Sequence, residues 1–259
     1  MSKLISILGC GWLGYPLISR LIALPHSKIK AATRSEQKLQ QIAALDIDAY
    51  QLDISDLQQS DAPFFTSDIL IVNIPSSDIA GYQSLVEKIK RSTIQQVILI
   101  SSTSVYTNSN STVSESSHID TNSARYQIEQ LFEQQTSFTT LILRFAGLIG
   151  PNRHPARFFK PGRVVSHSQA PVNMLHLDDC IEIIVTALDK PFWQGILNCC
   201  ADSHPTKQQF YTHVCAQLGV TPPEFIQQDE MSFKVISNER LKQQLDYRFI
   251  HPDLMKIEF

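Results

Sequence analysis

The stretch Gly9-Cys10-Gly11-Trp12-Leu13-Gly14 decides the fold of this 259-residue chain. It follows the short apolar run Leu4–Leu8 and opens Leu13–Leu24, a segment in which apolar residues recur at helical spacing. Between a strand and a helix, the first glycine allows a tight turn, the second a close approach to the backbone, and the third close helix packing. The N-terminus of the helix presents unpaired amides, which bind anions. The pattern therefore predicts a loop that holds the pyrophosphate of a dinucleotide.

Further apolar runs follow the first and alternate with helix-like segments, which is typical of a parallel sheet covered by helices on both faces. The predicted strands are Leu4–Leu8, Ile29–Thr33, Ala49–Leu52, Ile69–Ile74, Val97–Ser101 and Thr140–Phe145. We therefore predict an α/β protein with a doubly wound parallel sheet, the Rossmann fold, over residues 1–150. Residues 151–259 are expected to form a small C-terminal α/β substrate lobe, in which residues 177–200 pack back on the sheet.

Local signals define several elements beyond the sheet. Leu177–Leu188 is predicted to be a helix with Asp178 as its N-cap. The sequence Thr206-Lys207-Gln208-Gln209 is a capping box, and it opens a helix that should end near Gly219. The serine- and asparagine-rich segment Thr107–Ser123 is predicted to be a mobile surface loop.

The end of the second strand bears on which dinucleotide is bound. About 20 residues past the glycine pattern, an NAD site usually carries a carboxylate for the ribose hydroxyls. This chain has Thr33, Arg34 and Ser35 there. A guanidinium can bind a 2′-phosphate bidentately, so NADP(H) is preferred over NAD(H), although Arg34 could equally be a solvated surface residue. After the next strands, Asp53 would read the adenine edge or simply form a turn, and Pro75-Ser76 would line the cofactor.

Composition excludes several classes of partner. The net charge of −3, from 22 basic and 25 acidic residues, gives no general attraction to nucleic acid or to an anionic membrane. No apolar run approaches the roughly 18 residues needed to cross a bilayer. The five cysteines have no CxxC spacing, and the histidines have no ligand spacing. We therefore expect a cytoplasmic protein with no metal site and a small-molecule substrate.

Four motifs, in chain order, carry a resemblance to a known family. They are Ser101–Tyr106 (SSTSVY), Leu143–Pro151 (LRFAGLIGP), Val172–Asp179 (VNMLHLDD) and Ser237–Leu241 (SNERL). With the glycine pattern, the chain resembles the extended short-chain dehydrogenase/reductase superfamily, which includes nucleotide-sugar epimerases and dehydratases. The resemblance covers nearly the whole chain and implies that Ser102 hydrogen-bonds the reacting carbonyl or hydroxyl.

The chain departs from that family at its catalytic acid. The family has Tyr-x-x-x-Lys on the next helix, where the lysine lowers the pKa of the tyrosine so that it can accept a proton. One alignment puts Thr121 and Arg125 in these places, and an alignment shifted along the helix gives Tyr126 with Gln130. Neither contains the complete pair, so the closest resemblance is to the atypical members that lack the tyrosine. The candidate catalytic residues are Ser102, Tyr126, Thr121 and Arg125.

The ligand of a doubly wound sheet lies beyond the carboxyl ends of its strands. The predicted cofactor-binding residues are Gly9, Gly11, Trp12, Leu13, Gly14, Thr33, Arg34, Ser35, Asp53, Pro75, Ser76, Ser101, Phe145, Ala146, Gly147 and Leu148. A basic segment with Lys160 and Arg163 follows them and could hold an anionic group of the substrate or be a solvated charge run. The predicted substrate-binding residues are Arg153, His154, Arg157, Asn173 and His176.

Three functions are compatible with these features. The first is an NADP(H)-dependent oxidoreductase or isomerase of the epimerase/dehydratase type, acting on a small sugar-like or anionic substrate. The second is a catalytically degenerate NADP(H)-binding sensor or regulatory protein, because the catalytic pair is incomplete. The third is a methyltransferase that uses S-adenosylmethionine, against which Arg34 and the later motifs argue. A homodimer is compatible with the resemblance.

Overall fold

The computed structural model of the protein describes residues 3–25, 27–159, 162–191, 194–226 and 232–259. The strands are β1 (Lys3–Leu8), β2 (Ser27–Thr33), β3 (Asp48–Gln51), β4 (Ile69–Val72), β5 (Gln96–Ser102), β6 (Thr112–Val113), β7 (Thr139–Phe145), β8 (Gly147–Ile149), β9 (Val164–Ser166), β10 (Met174–His176), β11 (Gly195–Cys199), β12 (Glu224–Ile226) and β13 (Val235–Ile236). The α-helices are α1 (Gly14–Ile22), α2 (Glu36–Ala43), α3 (Ile79–Lys90), α4 (Ala124–Glu133), α5 (Leu177–Asp189), α6 (Lys207–Leu218) and α7 (Glu239–Leu245). Short 3-10 helices span Ile54–Asp56, Gln59–Phe65, Thr103–Val105, Pro155–Arg157 and Leu254–Lys256.

Seven of these strands form one sheet in the order β11-β7-β5-β4-β1-β2-β3. Strand β1 runs parallel to both of its neighbours, with Ile5 opposite Ile29 on β2 and opposite Ile69 on β4. The strand order reverses between β1 and β4, which is the switch point where ligands bind in doubly wound sheets. The predicted Rossmann fold is confirmed, because its six predicted strands are all strands of this sheet.

The chain divides into two compact units that alternate along the sequence. The first unit comprises the described residues of Met1–Val105, Asp120–Leu143 and Ile184–Ile196. The second comprises the described residues of Tyr106–Ile119, Arg144–Ile183 and Leu197–Phe259. Residues 106–119 and 144–150 belong to the second unit, ahead of the start of the predicted lobe at residue 151.

The first unit is built around large apolar side chains that its helices direct inward. Leu17, Ile18 and Leu21 of α1 are completely buried, because residues three and four positions apart lie on one face of a helix. Another cluster of the same unit packs Phe64 and Tyr82 with Phe132 of α4. Tyr82 and Phe132 meet edge to face at 6.1 Å between ring centroids, a favoured aromatic geometry.

The second unit has its own core, and α6 supplies a large part of it. Phe210 and Val214 of this helix are completely buried with Leu254. The predicted capping box is confirmed: Thr206 Oγ1 accepts the Gln209 amide, and the Gln209 side chain accepts the Thr206 amide. Gly219 ends the helix with a φ of 69°, the left-handed conformation that glycine adopts without strain.

The prediction of a mobile loop over Thr107–Ser123 is wrong at the centre of the segment. Residues 112–113 form β6, which pairs in parallel with β13, and Val113 is buried. Tyr106 and Ile119 form a further antiparallel bridge. The segment is polar because its exposed positions are serines and asparagines, while the contacts that order it come from β13, more than 100 residues away. Within the described ranges, no helix is both long and apolar enough to span a bilayer.

Candidate functional site

The three glycines of the loop at residues 9–14 have different structural environments. Gly9 has a φ of 105°, and a Cβ added there would lie 2.1 Å from the Asn73 carbonyl oxygen. A Cβ on Gly14 would lie 2.2 Å from the Gly9 carbonyl oxygen. A Cβ on Gly11, in contrast, would meet no atom of the described chain within 4 Å. The protein's own packing thus requires two of the glycines and leaves open space at the third.

The loop is fixed at the switch point by backbone contacts from both neighbouring strands. The Gly9 amide donates to the Ala32 carbonyl at the end of β2 (3.0 Å), and the Asn73 side-chain amide donates to the Gly9 carbonyl (3.0 Å). Helix α1 then begins after the buried Leu13, with no side-chain cap and no acidic residue in its first turn. The amides of Tyr15 and Leu17 donate to the Gly11 and Leu13 carbonyls (both 3.1 Å), and the helix dipole favours a negative charge at this end. Trp12 is half-buried in the same loop.

A cation and a carboxylate meet where β2 and β3 end. Arg34 Nη1 lies 3.6 Å from Asp53 Oδ2, and the Arg34 side chain is 75% exposed. The Asp53 carboxylate also accepts bonds from the Ser55 amide (3.0 Å) and hydroxyl (2.9 Å). These bonds, and to a smaller extent the Arg34 charge, lower the pKa of Asp53. Because so exposed an ion pair is weak, Arg34 can turn toward an added phosphate at little cost.

The other predicted cofactor residues of the first unit are occupied by local bonds. The Thr33 hydroxyl accepts the Ser35 amide (3.3 Å), and Ser35 in turn caps α2 by accepting the Lys38 amide (3.4 Å). Ser76 Oγ accepts the amide of Asp78, the N-cap of α3 (3.1 Å). Pro75, beside Ser76, is exposed after β4. These residues shape the turns at the strand ends.

Two adjacent serines at the end of β5 point to different partners. The Ser101 hydroxyl is buried and donates to the carboxylate of Glu129 on α4. Ser102 is half-buried, and its Oγ accepts the Ser104 amide (3.1 Å). Since this bond uses an acceptor lone pair, the Ser102 hydroxyl hydrogen remains available to donate to a ligand oxygen.

The candidate replacements for the family's tyrosine and lysine lie around the start of α4. Thr121 is exposed in the turn three residues before the helix begins. Arg125 and Tyr126 lie in the first turn and are half-buried; the Tyr126 amide donates to the N-cap Ser123 Oγ (3.2 Å). The charge of Arg125 also acts on the phenol of Tyr82. It lowers the pKa of Tyr82, but burial outweighs it and raises this pKa to about 12. Tyr82 instead donates to the Ile74 carbonyl (2.8 Å).

In the second unit, the segment after β7 pairs with a second predicted motif. Strand β8 runs parallel to β10, with Gly147 opposite Met174 and Ile149 opposite His176. A Cβ on Gly147 would lie 2.6 Å from the Met174 sulfur and 3.1 Å from the Asn173 carbonyl oxygen, so the two strands approach closely here. The structure thus brings together residues assigned to cofactor binding (Gly147) and to substrate binding (His176). The predicted cofactor residues Phe145 and Ala146 are buried, and Leu148 is half-buried.

The basic side chains that follow β8 have two different environments: some are hydrogen-bonded to the backbone and others are exposed. Arg153 Nε donates to the Leu148 carbonyl (2.9 Å), and His154 Nδ1 accepts the Ala156 amide that opens a 3-10 helix (3.1 Å). Arg157 and Arg163 are exposed and line a groove of about 770 Å³ with Phe159, Cys215 and Pro222 among its walls. Lys160 lies outside the described residues.

Two side chains of the motif at residues 172–179, Asn173 and Asp178, form hydrogen bonds with distant parts of the chain. The Asn173 side chain donates to the Lys234 carbonyl and accepts the Ile236 amide, both at 2.9 Å, which fixes the edge of β13. The prediction that Asp178 is an N-cap is wrong, because α5 begins one residue earlier, at Leu177. Asp178 lies in the first turn, where Asp178 Oδ2 contacts His251 Nε2 at 2.9 Å.

Sequence reasoning missed a buried polar network in the second unit. The Tyr106 hydroxyl donates to Asn198 Oδ1 and accepts from Arg144 Nη1, each at 2.7 Å. All three residues are buried, and burial raises the pKa of Tyr106 although Arg144 opposes the shift. Tyr106 is thus held as a neutral structural phenol. Its position in the SSTSVY motif was visible in the sequence, but its partner Asn198 lies 92 residues away.

Comparison with known proteins gives consistent results along the chain. The sequence profile of the NAD(P)H-binding family matches residues 9–190. Protein YeeZ of Escherichia coli (strain K12) is 31% identical to this chain over 269 aligned positions, which cover 97% of each protein.

Two solved structures share the fold. One is a functionally unknown conserved protein from Silicibacter pomeroyi DSS, with a TM-score of 0.79 at 18% identity, covering 98% of this chain and 96% of that one. The other is UDP-glucuronic acid 4-epimerase from Bacillus cereus in complex with NAD, with a TM-score of 0.78 at 17% identity, covering 97% and 95%. The chain therefore belongs to the NAD(P)H-binding family and shares the fold of these structures.

Proposed function

We propose that this protein is an NADP(H)-dependent oxidoreductase or isomerase of the epimerase/dehydratase type, acting on a small sugar-like or anionic substrate. The observation that carries the choice of cofactor is Arg34 at the end of β2. Ala32, two residues before Arg34, accepts a hydrogen bond from the Gly9 amide, so the end of β2 lies beside the glycine loop. A carboxylate at Arg34 or Thr33 would repel a 2′-phosphate, whereas the guanidinium attracts it. We further propose a cytoplasmic location, since the described cysteines are all unpaired and buried.

Replacing Arg34 with alanine is expected to weaken NADPH binding about 10-fold and to leave NADH binding nearly unchanged. A hydrogen bond to a charged group contributes roughly 1.5–3 kcal/mol, and the exposure of Arg34 argues for the lower end. Isothermal titration calorimetry with both nucleotides measures the two affinities. Arg91→Ala, at the exposed end of α3, removes the same charge elsewhere and is the control. Equal losses for NADPH and NADH would contradict the assignment.

Ser102 is the candidate group for polarising the substrate oxygen. Its Oγ accepts the Ser104 amide, so the hydroxyl hydrogen can be directed to a carbonyl or hydroxyl oxygen at the end of β5. Bound NADP(H) would supply reversible hydride exchange. The candidate proton donor is the half-buried Tyr126 or a water molecule, since Thr121 is too weak an acid near neutral pH.

Ser102→Ala is expected to lower the rate of NADPH oxidation about 10- to 100-fold without changing NADPH affinity. The removed hydrogen bond strengthens as charge develops on the substrate oxygen, which corresponds to roughly 1.5–3 kcal/mol. The measurement is the loss of NADPH absorbance across a panel of carbonyl compounds and nucleotide sugars. Ser104→Ala keeps the amide that Ser102 accepts and is the matched control. Undiminished turnover in Ser102→Ala would remove this residue from the proposed chemistry.

The groove of the second unit supports an anionic substrate. Its walls combine two exposed guanidinium groups, from Arg157 and Arg163, with apolar surface from Phe159 and Pro222. Arginine binds phosphate and carboxylate groups bidentately, while apolar walls accept the body of a small ligand. At about 770 Å³ the groove is within the usual size range of small-molecule sites.

The alternative function is an NADP(H)-binding sensor that no longer catalyses a reaction. The specific observation in its favour is that Thr121 lies before α4, so no phenol occupies that alignment of the catalytic pair. This alternative predicts NADPH binding by the purified protein with no oxidation of NADPH by any compound of the panel. It also predicts that Ser102→Ala preserves cellular function.

A further inference from the structure

Three side chains that commonly bind metals meet in the second unit. His176 ends β10, Asp178 lies in the first turn of α5, and His251 comes from the C-terminal tail. One potential ligand atom from each lies within 4.8 Å of the other two. We propose that His176, Asp178 and His251 form a binding site for a divalent transition-metal ion, with Zn²⁺ as the representative cation. All three residues belong to the second unit, and the proposal goes beyond the proposed function.

The spacing of the three groups is close to that of a tetrahedral metal centre. Asp178 Oδ2 lies 2.9 Å from His251 Nε2 and 3.3 Å from His176 Nδ1. Zinc bonds of about 2.0–2.2 Å at tetrahedral angles place neighbouring ligand atoms about 3.3–3.6 Å apart. The ligand atoms of the two histidines lie within 4.8 Å of each other, so the side chains would adjust for all three to bind one ion.

His176 is held against Asp178 and His251 by short contacts. The Asp178 amide donates to His176 Nδ1 at 3.2 Å, which assigns a lone pair to this nitrogen. Asp178 Oδ2 lies 3.3 Å from the same nitrogen. A metal ion bound at His176 Nδ1 would take the place of the Asp178 amide hydrogen at this lone pair, and the Asp178 carboxylate would supply the oxygen ligand. His176 is also held in place by its ring contact with His251, at 4.0 Å between centroids.

A buried carboxylate fixes the tail that supplies the third ligand. Asp179 accepts the backbone amides of Ile250 (2.7 Å) and His251 (3.0 Å) and is completely buried. Supporting hydrogen bonds of this kind hold metal ligands in position before the ion binds. His251 is therefore presented to Asp178 by a rigid backbone, although the two residues are 73 positions apart.

The donor types and the exposure indicate which ion is bound and how. Two imidazoles and one carboxylate suit Zn²⁺ and its first-row neighbours better than Mg²⁺ or Ca²⁺, which prefer oxygen ligands. The His176 side chain is 7% exposed, while that of Asp178 is 50% exposed. Three protein ligands with one open side leave a position for water or a ligand oxygen, the arrangement of catalytic zinc centres.

The test is a titration of the metal-free, full-length protein with Zn²⁺ by isothermal calorimetry, in a buffer without chelating components. We expect one equivalent of Zn²⁺ to bind, and Co²⁺ to give the visible absorption bands of a tetrahedral nitrogen and oxygen site. His251→Gln and Asp178→Asn, which keep side-chain size, should each weaken Zn²⁺ binding by at least about 10-fold, since even supporting residues account for 10–100-fold. Zn²⁺ should raise the Tm of the wild type and leave that of the variants unchanged.

Two controls make the result specific. His118→Gln changes an exposed histidine outside the cluster and should bind Zn²⁺ as the wild type does. NADPH affinity should be unchanged in His251→Gln, because Gly11 and Arg34 are untouched, and this also verifies that the variant is folded. The proposal is overturned if the wild type shows no saturable Zn²⁺ binding. It is equally overturned if His251→Gln and Asp178→Asn bind Zn²⁺ as tightly as the wild type, or if His118→Gln loses binding.

Discussion

Gly11→Ala is expected to reduce NADPH affinity about 100-fold while leaving the free energy of unfolding unchanged or slightly higher. The added Cβ meets no atom of the described chain within 4 Å, so the protein itself accommodates it. A bound pyrophosphate would have to fill the same space, and forcing a methyl group into a filled contact costs roughly 1–3 kcal/mol. Titration calorimetry with NADPH, together with urea denaturation, measures both quantities.

Gly14→Ala is the matched comparison, because the same methyl group falls in a different environment. Its Cβ would lie 2.2 Å from the Gly9 carbonyl oxygen, a distance that only a backbone shift can relieve. This variant should lose roughly 1–3 kcal/mol of stability as well as NADPH affinity. If Gly11→Ala binds NADPH as tightly as the wild type, the loop does not hold the pyrophosphate in the proposed way.

Asp179→Ala is expected to destabilise the protein by about 3–5 kcal/mol. The completely buried carboxylate accepts hydrogen bonds from the Tyr247 hydroxyl (2.8 Å) and from the amides of Ile250 and His251. Each buried donor left without a partner costs about 1–3 kcal/mol, and three donors lose their acceptor at once. The expected loss is a large part of the roughly 5–15 kcal/mol that stabilises a typical domain. Urea denaturation followed by circular dichroism measures it.

Tyr247→Phe provides the graded control for that prediction. It removes one of the three donors and leaves both amides bonded to Asp179, so a loss of about 1 kcal/mol is expected. Burial, together with the Asp179 charge, raises the pKa of Tyr247, which keeps the phenol protonated as a donor. An Asp179→Ala protein within 1 kcal/mol of the wild type would show that water replaces the carboxylate, and that the tail is not fixed by it.

The central sheet could be predicted because its signals are local. The strand at Ile69–Val72, for example, is apolar throughout and buried at every position. The glycine pattern could be assigned to a turn and to the start of a helix, because both roles follow from positions within six residues. The position of Arg34 directly after β2 could also be predicted, because it lies about 20 residues past the glycine pattern, where the second strand of this fold ends.

The partners of the site residues could not be predicted, since they come from distant segments. The sequence does not show that Ser101 is bonded to Glu129 while Ser102 keeps a hydroxyl hydrogen for a ligand. Both are serines at a strand end, and only the alternation of β5 sends one toward α4. In the same way, the polar segment 107–123 is ordered by β13, whose pairing has no signal in the segment's own composition.

By itself, the sequence determined the alternation of strands and helices, the dinucleotide loop and the cation at the end of β2, because periodicity and glycine geometry act within a few residues of one another. Only the tertiary structure decided which side chains lie side by side. It brought His251 to His176 and Asp178, and it committed Asp179 to the tail that carries His251. Contacts between residues 70 or more positions apart depend on how the whole chain folds, and the spacing of residues along the sequence does not indicate them.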